Sequence, residues 1–270
     1  MCTNYSPTSR DRLRAARLGV AHLPPRDWPP EAFPGYEAPI VVRSESEDAS
    51  ADADGDAALA AADATRCLLA RFGLVPRWSR DAAHARELSR HTVNARNETT
   101  SVKPSYRTPW RERRWALVPM DDFFEPCWET GHAVRWRLAS ADGSVLTAAA
   151  LWEGWTDPAS GEIVNSFSLL TVNADGHPLM GRMHRPGEEK RMPVLIAPAD
   201  RAAWLNASDA DARLLMRAMP AGQLVAAPAP RAASPRAARK PAAAAAEPGA
   251  APAPHEPPAP PAPGTNLDLF

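Results

Sequence analysis

The chain has 270 residues, a formal net charge of −1 and a hydrophobic share of 44%, which is enough apolar sequence for a folded domain. Its 3 cysteines, Cys2, Cys67 and Cys127, are too far apart for a CxxC metal site or a disulfide framework, and predict a reducing compartment. No apolar run suits a signal peptide or a membrane span, so we expect a cytoplasmic protein that binds no membrane.

Charge is distributed unevenly along the chain. Residues 43–65 contain one arginine and seven acidic residues, so the remainder is net basic. This acidic, low-complexity segment is typical of a solvated insertion. A mildly basic body is compatible with nucleic acid binding without proving it.

The first predicted elements are a helix and a strand. TSRDRLRAARLGV has helical apolar spacing and a Thr8/Ser9 cap, which predicts a helix from about Arg10 to Leu18. YEAPIVV ends in β-branched residues, which are typical of a strand. Further along, short helices are predicted near Asp81–Ser89 and after Ser208.

The middle of the chain is rich in predicted strands. Short apolar or alternating runs lie between turn residues: RRWALVPM, VRWRLAS, VLTAAALWEGW, SFSLLTV and MPVLIAP. No parallel βαβ pattern is present. The predicted fold class is therefore α+β, a single domain over residues 2–219 on a mixed, barrel-like antiparallel β-sheet with short flanking helices.

Two segments follow this body. Residues 220–264 are rich in alanine and proline and predict a disordered linker that is partly polyproline II. Residues 265–270 are a predicted short linear motif, in which Leu267, Leu269 and Phe270 are abruptly apolar. These residues either dock on their own domain or bind another protein.

Cys2 follows Met1 directly and has a chemistry that no internal cysteine shares. After removal of Met1 it would carry an α-amine of pKa ~7.7–8.0 beside a thiol of pKa ~8.5. Together these groups can condense with an aldehyde, first to an imine and then to a thiazolidine ring. At a frayed terminus the thiol would be exposed. The alternative is an ordinary small residue at a chain end.

Several sequence motifs, taken in their order along the chain, indicate a function for Cys2. They are FGLVPRW (72–78), NARNET (94–99), RRWALVPMDDFFEP (113–126), AALWEGW (149–155), LLTVNA (169–174) and RMPVLI (191–196). With Cys2, they resemble the SOS-response-associated peptidase (SRAP) family, which shields abasic sites in single-stranded DNA. The resemblance implies an α+β fold with a barrel-like sheet. It also implies a thiazolidine cross-link between the terminal cysteine and the ring-opened abasic sugar.

The resemblance assigns catalytic roles to four residues. Cys2 is the cross-linking residue, and Glu125, in an apolar stretch that would raise its pKa, is the acid/base residue. Asn94 would position and polarise the cysteine and the sugar oxygen. His184 would pass protons to the sugar hydroxyl, with His177 as a nearby rival. Each residue also has a structural alternative: a surface glutamate, a turn asparagine or a structural histidine.

The same resemblance implies DNA contacts. Arg96 and Arg191 would face phosphates, Thr171 would offer a hydroxyl near the site, and Trp78 would stack on an unpaired base unless it is a core aromatic. Neighbouring basic residues extend this surface: Lys103, Arg107, Arg111, Arg113 and Arg114.

The sequence departs from the family pattern at two places near the proposed site. Pro126 stands where a tryptophan is usual, which puts one stacking contact in question. PGEEK lengthens the spacing between His184 and RMP.

Three functions follow from the sequence. The first is a DNA-damage shield that cross-links abasic sites in single-stranded DNA at replication forks. The second is a thiol peptidase, in which Cys2 is the nucleophile and His184 the base, that removes its own Met1. The third is a non-covalent module that binds single strands and is tethered to the replicative sliding clamp.

The C-terminal NLDLF suggests a partner. It resembles the motif by which bacterial proteins bind the replicative sliding clamp. We expect a cytoplasmic, nucleoid-associated monomer that needs no cofactor and no metal.

Overall fold

The computed structural model describes residues 2–44 and 65–231. The predicted tether beyond residue 231, the NLDLF motif and nearly all of the acidic segment lie outside these residues. The described strands are β1 (Tyr5–Pro7), β2 (Glu37–Arg43), β3 (Thr65–Phe72), β4 (Asn94–Arg96), β5 (Trp115–Cys127), β6 (Val134–Ser140), β7 (Leu146–Thr156), β8 (Ile163–Asn173), β9 (Arg191–Pro193) and β10 (Leu224–Pro228). The described α-helices are α1 (Arg10–Ala15), α2 (Ala82–His91), α3 (Arg107–Arg111), α4 (Arg201–Leu205) and α5 (Asp209–Leu215).

Five strands close into a small barrel. Strand β2 pairs with β3, β3 with β8, β8 with β7, β7 with β5, and β5 returns to β2. Strands β3 and β4 each run parallel to β8, whereas the other named pairings are antiparallel. The predicted α+β fold on a mixed, barrel-like sheet is confirmed.

Strand β5 organises the sheet because it pairs with β1, β2, β6 and β7 along its 13 residues. Its outer side is covered by α4, whose Trp204 indole N–H donates to the Ala116 carbonyl at 2.9 Å. The first six residues of β5, Trp115 to Met120, are buried and apolar, and the strand predicted from RRWALVPM is confirmed.

The predicted helices form with small shifts at their ends. Helix α2 is capped by Asp81, and α5 by a Ser208 capping box, as their sequences indicate. Helix α1 ends at Ala15 rather than Leu18, because Arg17 has a φ of 51°, which stops a right-handed helix. None of the helices among the described residues is long and apolar enough to cross a membrane.

The sheet extends past the predicted domain boundary at residue 219. Strand β10 pairs with β6, with Leu224 opposite Ser140, and Ala229 N–H donates to the Arg135 carbonyl at 2.9 Å. Sequence patterns did not predict this strand, because it lies among alanine and proline residues. The folded body therefore continues at least through Ala229.

Candidate active site

The N-terminal segment is fixed in the sheet. Strand β1 pairs with β5, with Tyr5 opposite Phe123, and the Phe124 N–H donates to the Asn4 carbonyl at 2.9 Å. As a result, Cys2 is only 1% exposed. The expectation of an exposed terminal thiol is wrong, because pairing with a strand far along the chain orders the terminus.

Burial determines the state of the Cys2 thiol. Desolvation raises the pKa of Cys2 far above its ordinary range, and the nearby Glu125 carboxylate raises it further. The sulfur lies 3.9 Å from the Asn4 carbonyl oxygen. The thiol is therefore protonated at neutral pH and needs a base before it can act as a nucleophile.

Asn94 holds the backbone of Cys2. Strand β4 runs parallel to β8, with Asn94 opposite Leu169. The Asn94 Nδ2 donates to the Cys2 carbonyl at 2.9 Å, and the Tyr106 hydroxyl donates to the Asn94 carbonyl at 3.1 Å. The Asn94 Oδ1 is buried without a hydrogen-bond partner among the described residues. This oxygen is available to accept from a bound group.

Glu125 and His184 form a buried pair beside Cys2. Side chains alternate along β5, so Glu125 shares the inner face with Phe123 and Cys127 and is 2% exposed. Its Oε2 lies 3.3 Å from the His184 Nε2. The His184 backbone has a φ of 61°, and its N–H donates to the Pro126 carbonyl at 2.7 Å. This left-handed turn directs the imidazole toward the carboxyl.

Burial favours the neutral form of both partners. It raises the pKa of Glu125 to about 7 and lowers the pKa of His184 to about 4. Between these values the pair holds one proton, on the carboxyl, with a neutral imidazole beside it. Burial therefore keeps the Glu125 proton to a higher pH than that of an ordinary carboxyl, as a group that donates and accepts protons requires.

A shallow groove of about 300 Å³ is lined in part by Glu125 and its neighbours Phe124 and Pro126. Its walls include two arginine–phenylalanine stacks: Arg135 lies 3.3 Å from the Phe124 ring centroid, and Arg231 lies 4.7 Å from that of Phe33. Depressions of about 400 Å³ occur elsewhere, one of them beside Ser140. We assign the site by its chemistry, because the larger depressions contain none of the predicted catalytic residues.

Arg191 and Thr171 contact each other inside the protein. The Arg191 Nε donates to the Thr171 Oγ1 at 3.1 Å, and the arginine is 2% exposed. Its Nη atoms lie 2.9 Å from Glu98 and 2.5 Å from Glu189. The guanidinium thus faces two carboxylates, and its contact with a DNA phosphate stays a prediction.

Arg96 and Trp78 lie nearer the surface. Arg96 is half-exposed, and its Nη1 pairs with Glu189 at 2.7 Å. Trp78 is 42% exposed and leans on His84, with ring centroids 5.6 Å apart. Trp78 is thus accessible, whereas a core aromatic would be buried. Its stacking role stays a prediction.

The two candidate histidines, His177 and His184, differ in their contacts. His177 Nε2 bonds to the Met219 carbonyl at 2.8 Å, while its Nδ1 accepts from Met180 N–H at 3.0 Å. His177 therefore has a local structural role, and His184 is the histidine that meets Glu125. Within residues 2–44 and 65–231, no cluster of His, Cys, Asp and Glu could hold a metal ion.

Comparison with known proteins identifies the chain. A profile of the SOS response associated peptidase (SRAP) family matches residues 1–233. The chain belongs to this family. The resemblance carried by the sequence motifs is thereby confirmed.

Two curated relatives have names that refer to abasic sites. "Abasic site processing protein YoqW" of Bacillus subtilis (strain 168) is 28% identical over 144 residues, which is 52% of this chain and 58% of YoqW. "Abasic site processing protein HMCES" of Pongo abelii is 25% identical over 143 residues, which is 42% of this chain and 40% of HMCES. The matched region spans less than two thirds of either relative.

Solved structures share the barrel over most of the chain. A crystal structure of a protein from Bordetella bronchiseptica has a TM-score of 0.72 and 30% identity, and covers 84% of this chain and 99% of that one. A second, from Bacteroides thetaiotaomicron, has a TM-score of 0.67 and 22% identity, covers 83% and 90%, and supports the fold alone.

The sequence motifs did not point to two residues of this candidate site. Tyr106 anchors Asn94, and Glu189 joins Arg96 to Arg191. Tyr106 carries no local signal, because it precedes α3 whereas its partner, Asn94, lies in β4. Glu189 lies in PGEEK, whose extra length was the available signal.

Proposed function

We propose that this SRAP chain captures abasic sites in single-stranded DNA as a covalent thiazolidine on Cys2, after removal of Met1. The observation that carries the proposal is the buried group formed by Cys2, Asn94 and the Glu125–His184 pair. The names of the relatives support an abasic site as the substrate.

The first step joins the α-amine to the aldehyde of the ring-opened sugar. The amine nitrogen attacks the carbonyl carbon, and the carbonyl oxygen takes up a proton to give a carbinolamine. Loss of water then gives the imine. Glu125 in its acid form supplies the proton that lets water leave, and neutral His184 relays protons to the sugar oxygen. The Asn94 Oδ1 accepts a hydrogen bond from the amine or the carbinolamine.

The second step closes the ring. The Cys2 thiol gives its proton to the Glu125 carboxylate as the sulfur attacks the imine carbon. A C–S bond forms, and the C=N electron pair moves to nitrogen, which takes up a proton. The raised pKa of the thiol keeps it neutral until this step, so a base beside it is required.

DNA binding would use the surface around this site. In this proposal Arg96 and Arg191 would contact backbone phosphates, and exposed Trp78 would offer a stacking face. The hydrogen bond from Arg191 to Thr171 and the exposure of Arg96 support these roles. Such contacts would bind DNA without sequence preference and weaken as salt rises.

A peptidase function is the second candidate. The Glu125–His184 pair beside the Cys2 sulfur could assist attack of this thiol on the Met1 carbonyl, and hydrolysis would then release Met1. Cell-free translation without methionine aminopeptidase tests this candidate. Loss of Met1 from the natural chain but not from the Glu125→Gln variant supports it, and retention of Met1 in both contradicts it.

The C-terminal motif suggests delivery to replication forks. We propose that residues 266–270 bind the sliding clamp through Leu267, Leu269 and Phe270, on a tether that begins beyond residue 231. Calorimetry with the full chain and a variant lacking these five residues would test it. Equal heats of clamp binding would contradict it. The proposed monomeric state is tested by light scattering.

Denaturing electrophoresis tests the main proposal. Purified protein is mixed with a single-stranded oligonucleotide that carries one abasic site. A heat-resistant shifted band is expected for the natural chain and is lost in Cys2→Ala or with undamaged DNA. Absence of the band from protein whose Met1 is gone would contradict the cross-link. Binding by both proteins without a band would instead favour a non-covalent module.

A further inference from the structure

The carboxylate of Glu189 lies between two arginines that come from different strands. Its Oε2 lies 2.7 Å from the Arg96 Nη1, and its Oε1 lies 2.5 Å from the Arg191 Nη1. Each carboxylate oxygen thus has its own guanidinium. Two oxygens of a phosphate group would be held in the same way by two arginines.

This anion position adjoins the candidate active site. Strands β4 and β9 both pair with β8, with Arg96 opposite Thr171 and Arg191 opposite Asn173. Asn94 begins the strand that ends at Arg96, and the segment after His184 leads to Glu189. A phosphate in this position would therefore belong to a nucleotide near the one in the site.

Glu189 can leave this position without leaving a buried charge unpaired. The Glu189 side chain is 34% exposed, and Arg96 is 50% exposed. Arg191 is buried but keeps a second carboxylate, Glu98, at 2.9 Å. The remaining contact of Glu189 is a hydrogen bond from Asn173 at 3.3 Å. The Glu189 carboxylate is therefore held mainly by charges that another anion could satisfy.

We propose that Glu189 is an internal substitute for a DNA phosphate, which it resembles in charge and in its two oxygens. In the free protein it occupies the anion position between Arg96 and Arg191, and a backbone phosphate displaces it when single-stranded DNA binds. This inference rests on the proposed function in that the incoming anion belongs to DNA. Glu189 then lowers the affinity for DNA, because its two ion pairs must break before the phosphate enters.

Binding measurements test the effect of this carboxylate on affinity. In a Cys2→Ala background, anisotropy would follow an oligonucleotide with a tetrahydrofuran abasic analogue, which has no aldehyde. We expect Glu189→Gln to bind roughly fivefold tighter at low salt, and the gain to shrink as salt rises. Glu188→Gln removes the same charge one residue away and should change affinity less than about twofold.

A double-mutant cycle tests whether the gain passes through Arg96. The effect of Glu189→Gln should largely disappear in an Arg96→Ala protein, because one of the two phosphate contacts is already gone. A full gain in that background, or equal effects of Glu188→Gln and Glu189→Gln, would overturn the proposal.

Carboxyl footprinting of otherwise unaltered Cys2→Ala protein avoids any effect of the Glu189 substitution on folding. Carbodiimide-dependent labelling of Glu189 should rise several-fold when the tetrahydrofuran oligonucleotide binds, while labelling of Glu188 does not rise. Reduced or unchanged labelling of Glu189 on DNA binding would overturn the proposal. Failure of the natural chain to form a cross-link would contradict the proposed function but leave these non-covalent outcomes intact.

Discussion

The candidate site has a cysteine side and an arginine side, and they differ in whether their side chains are neutral or charged. The cysteine side, made of Cys2, Asn94, Glu125 and His184, is buried and holds its titratable groups in neutral forms at slightly acidic pH. The arginine side consists of Arg96, Thr171, Glu189 and Arg191, and its arginines are paired with carboxylates. Desolvation tunes proton transfer on the first side, whereas exchangeable ion pairs suit binding on the second.

The largest expected effect is on the rate of cross-linking, which we assign to the cysteine side alone. Glu125→Gln removes the proton donor and acceptor but keeps the shape of the side chain. Cross-linking should slow by about 10²–10⁴-fold, the usual contribution of a positioned acid/base group. Quantified denaturing gels at saturating DNA would measure it, with Glu129→Gln, an exposed residue of the same type, as control. Weaker DNA binding by Glu125→Gln in a Cys2→Ala background would contradict this assignment, because it would show that Glu125 also contributes to binding.

The next effect concerns stability and pH. The folded pKa of Glu125 is about 7, whereas an unfolded carboxyl titrates near ~4.3. Its stabilising contribution is fully present below pH ~4.3 and is lost as pH rises through about 7, because the folded state resists ionisation. The free energy of unfolding of Glu125→Gln, relative to that of the natural chain, should therefore rise by about 3 kcal/mol from pH 4 to pH 8. Urea denaturation would measure this gain, and a pH-independent difference would contradict it.

A smaller effect is expected on the binding surface. Trp78→Ala should weaken single-strand binding about tenfold, since stacking contributes ~1–3 kcal/mol per base. Cross-linking at saturating DNA should change little. Anisotropy measures the first quantity and gels the second, and Trp78→Phe, which keeps a ring, should restore most of the affinity. A lower saturating rate with unchanged affinity would place Trp78 on the chemical side.

The smallest effect compares two buried tyrosines. Tyr106→Phe removes a donor to the Asn94 carbonyl and should cost about 1 kcal/mol of unfolding free energy. Tyr5→Phe removes a hydroxyl that has no partner among the described residues, so its stability should be unchanged or higher. Thermal unfolding distinguishes the two. Equal losses would show that the Tyr5 hydroxyl is also bonded.

Local sequence patterns predicted much of the sheet and the caps at Asp81 and Ser208, because alternation and capping act over a few residues. They missed β10, whose LVAAP lies beside an alanine- and proline-rich tail. They also misjudged the exposure of Cys2, because its burial depends on β1 pairing with a distant strand.

The site was predictable only where family motifs name its residues. The approach of His184 to Glu125 depends on a left-handed turn that histidine seldom adopts, and no local pattern indicates it. Glu189 is similar, since its ion pairs join it to Arg96 far along the chain. Both contacts are products of tertiary structure.

The most direct test of the central claim is mass spectrometry of the cross-linked protein after nuclease digestion, with and without borohydride. We predict an adduct on Cys2, in protein that has lost Met1, whose mass borohydride does not change, because a thiazolidine has no C=N bond. A mass that increases by added hydrogen would show an imine that never closed. An adduct on a lysine would contradict the role of Cys2.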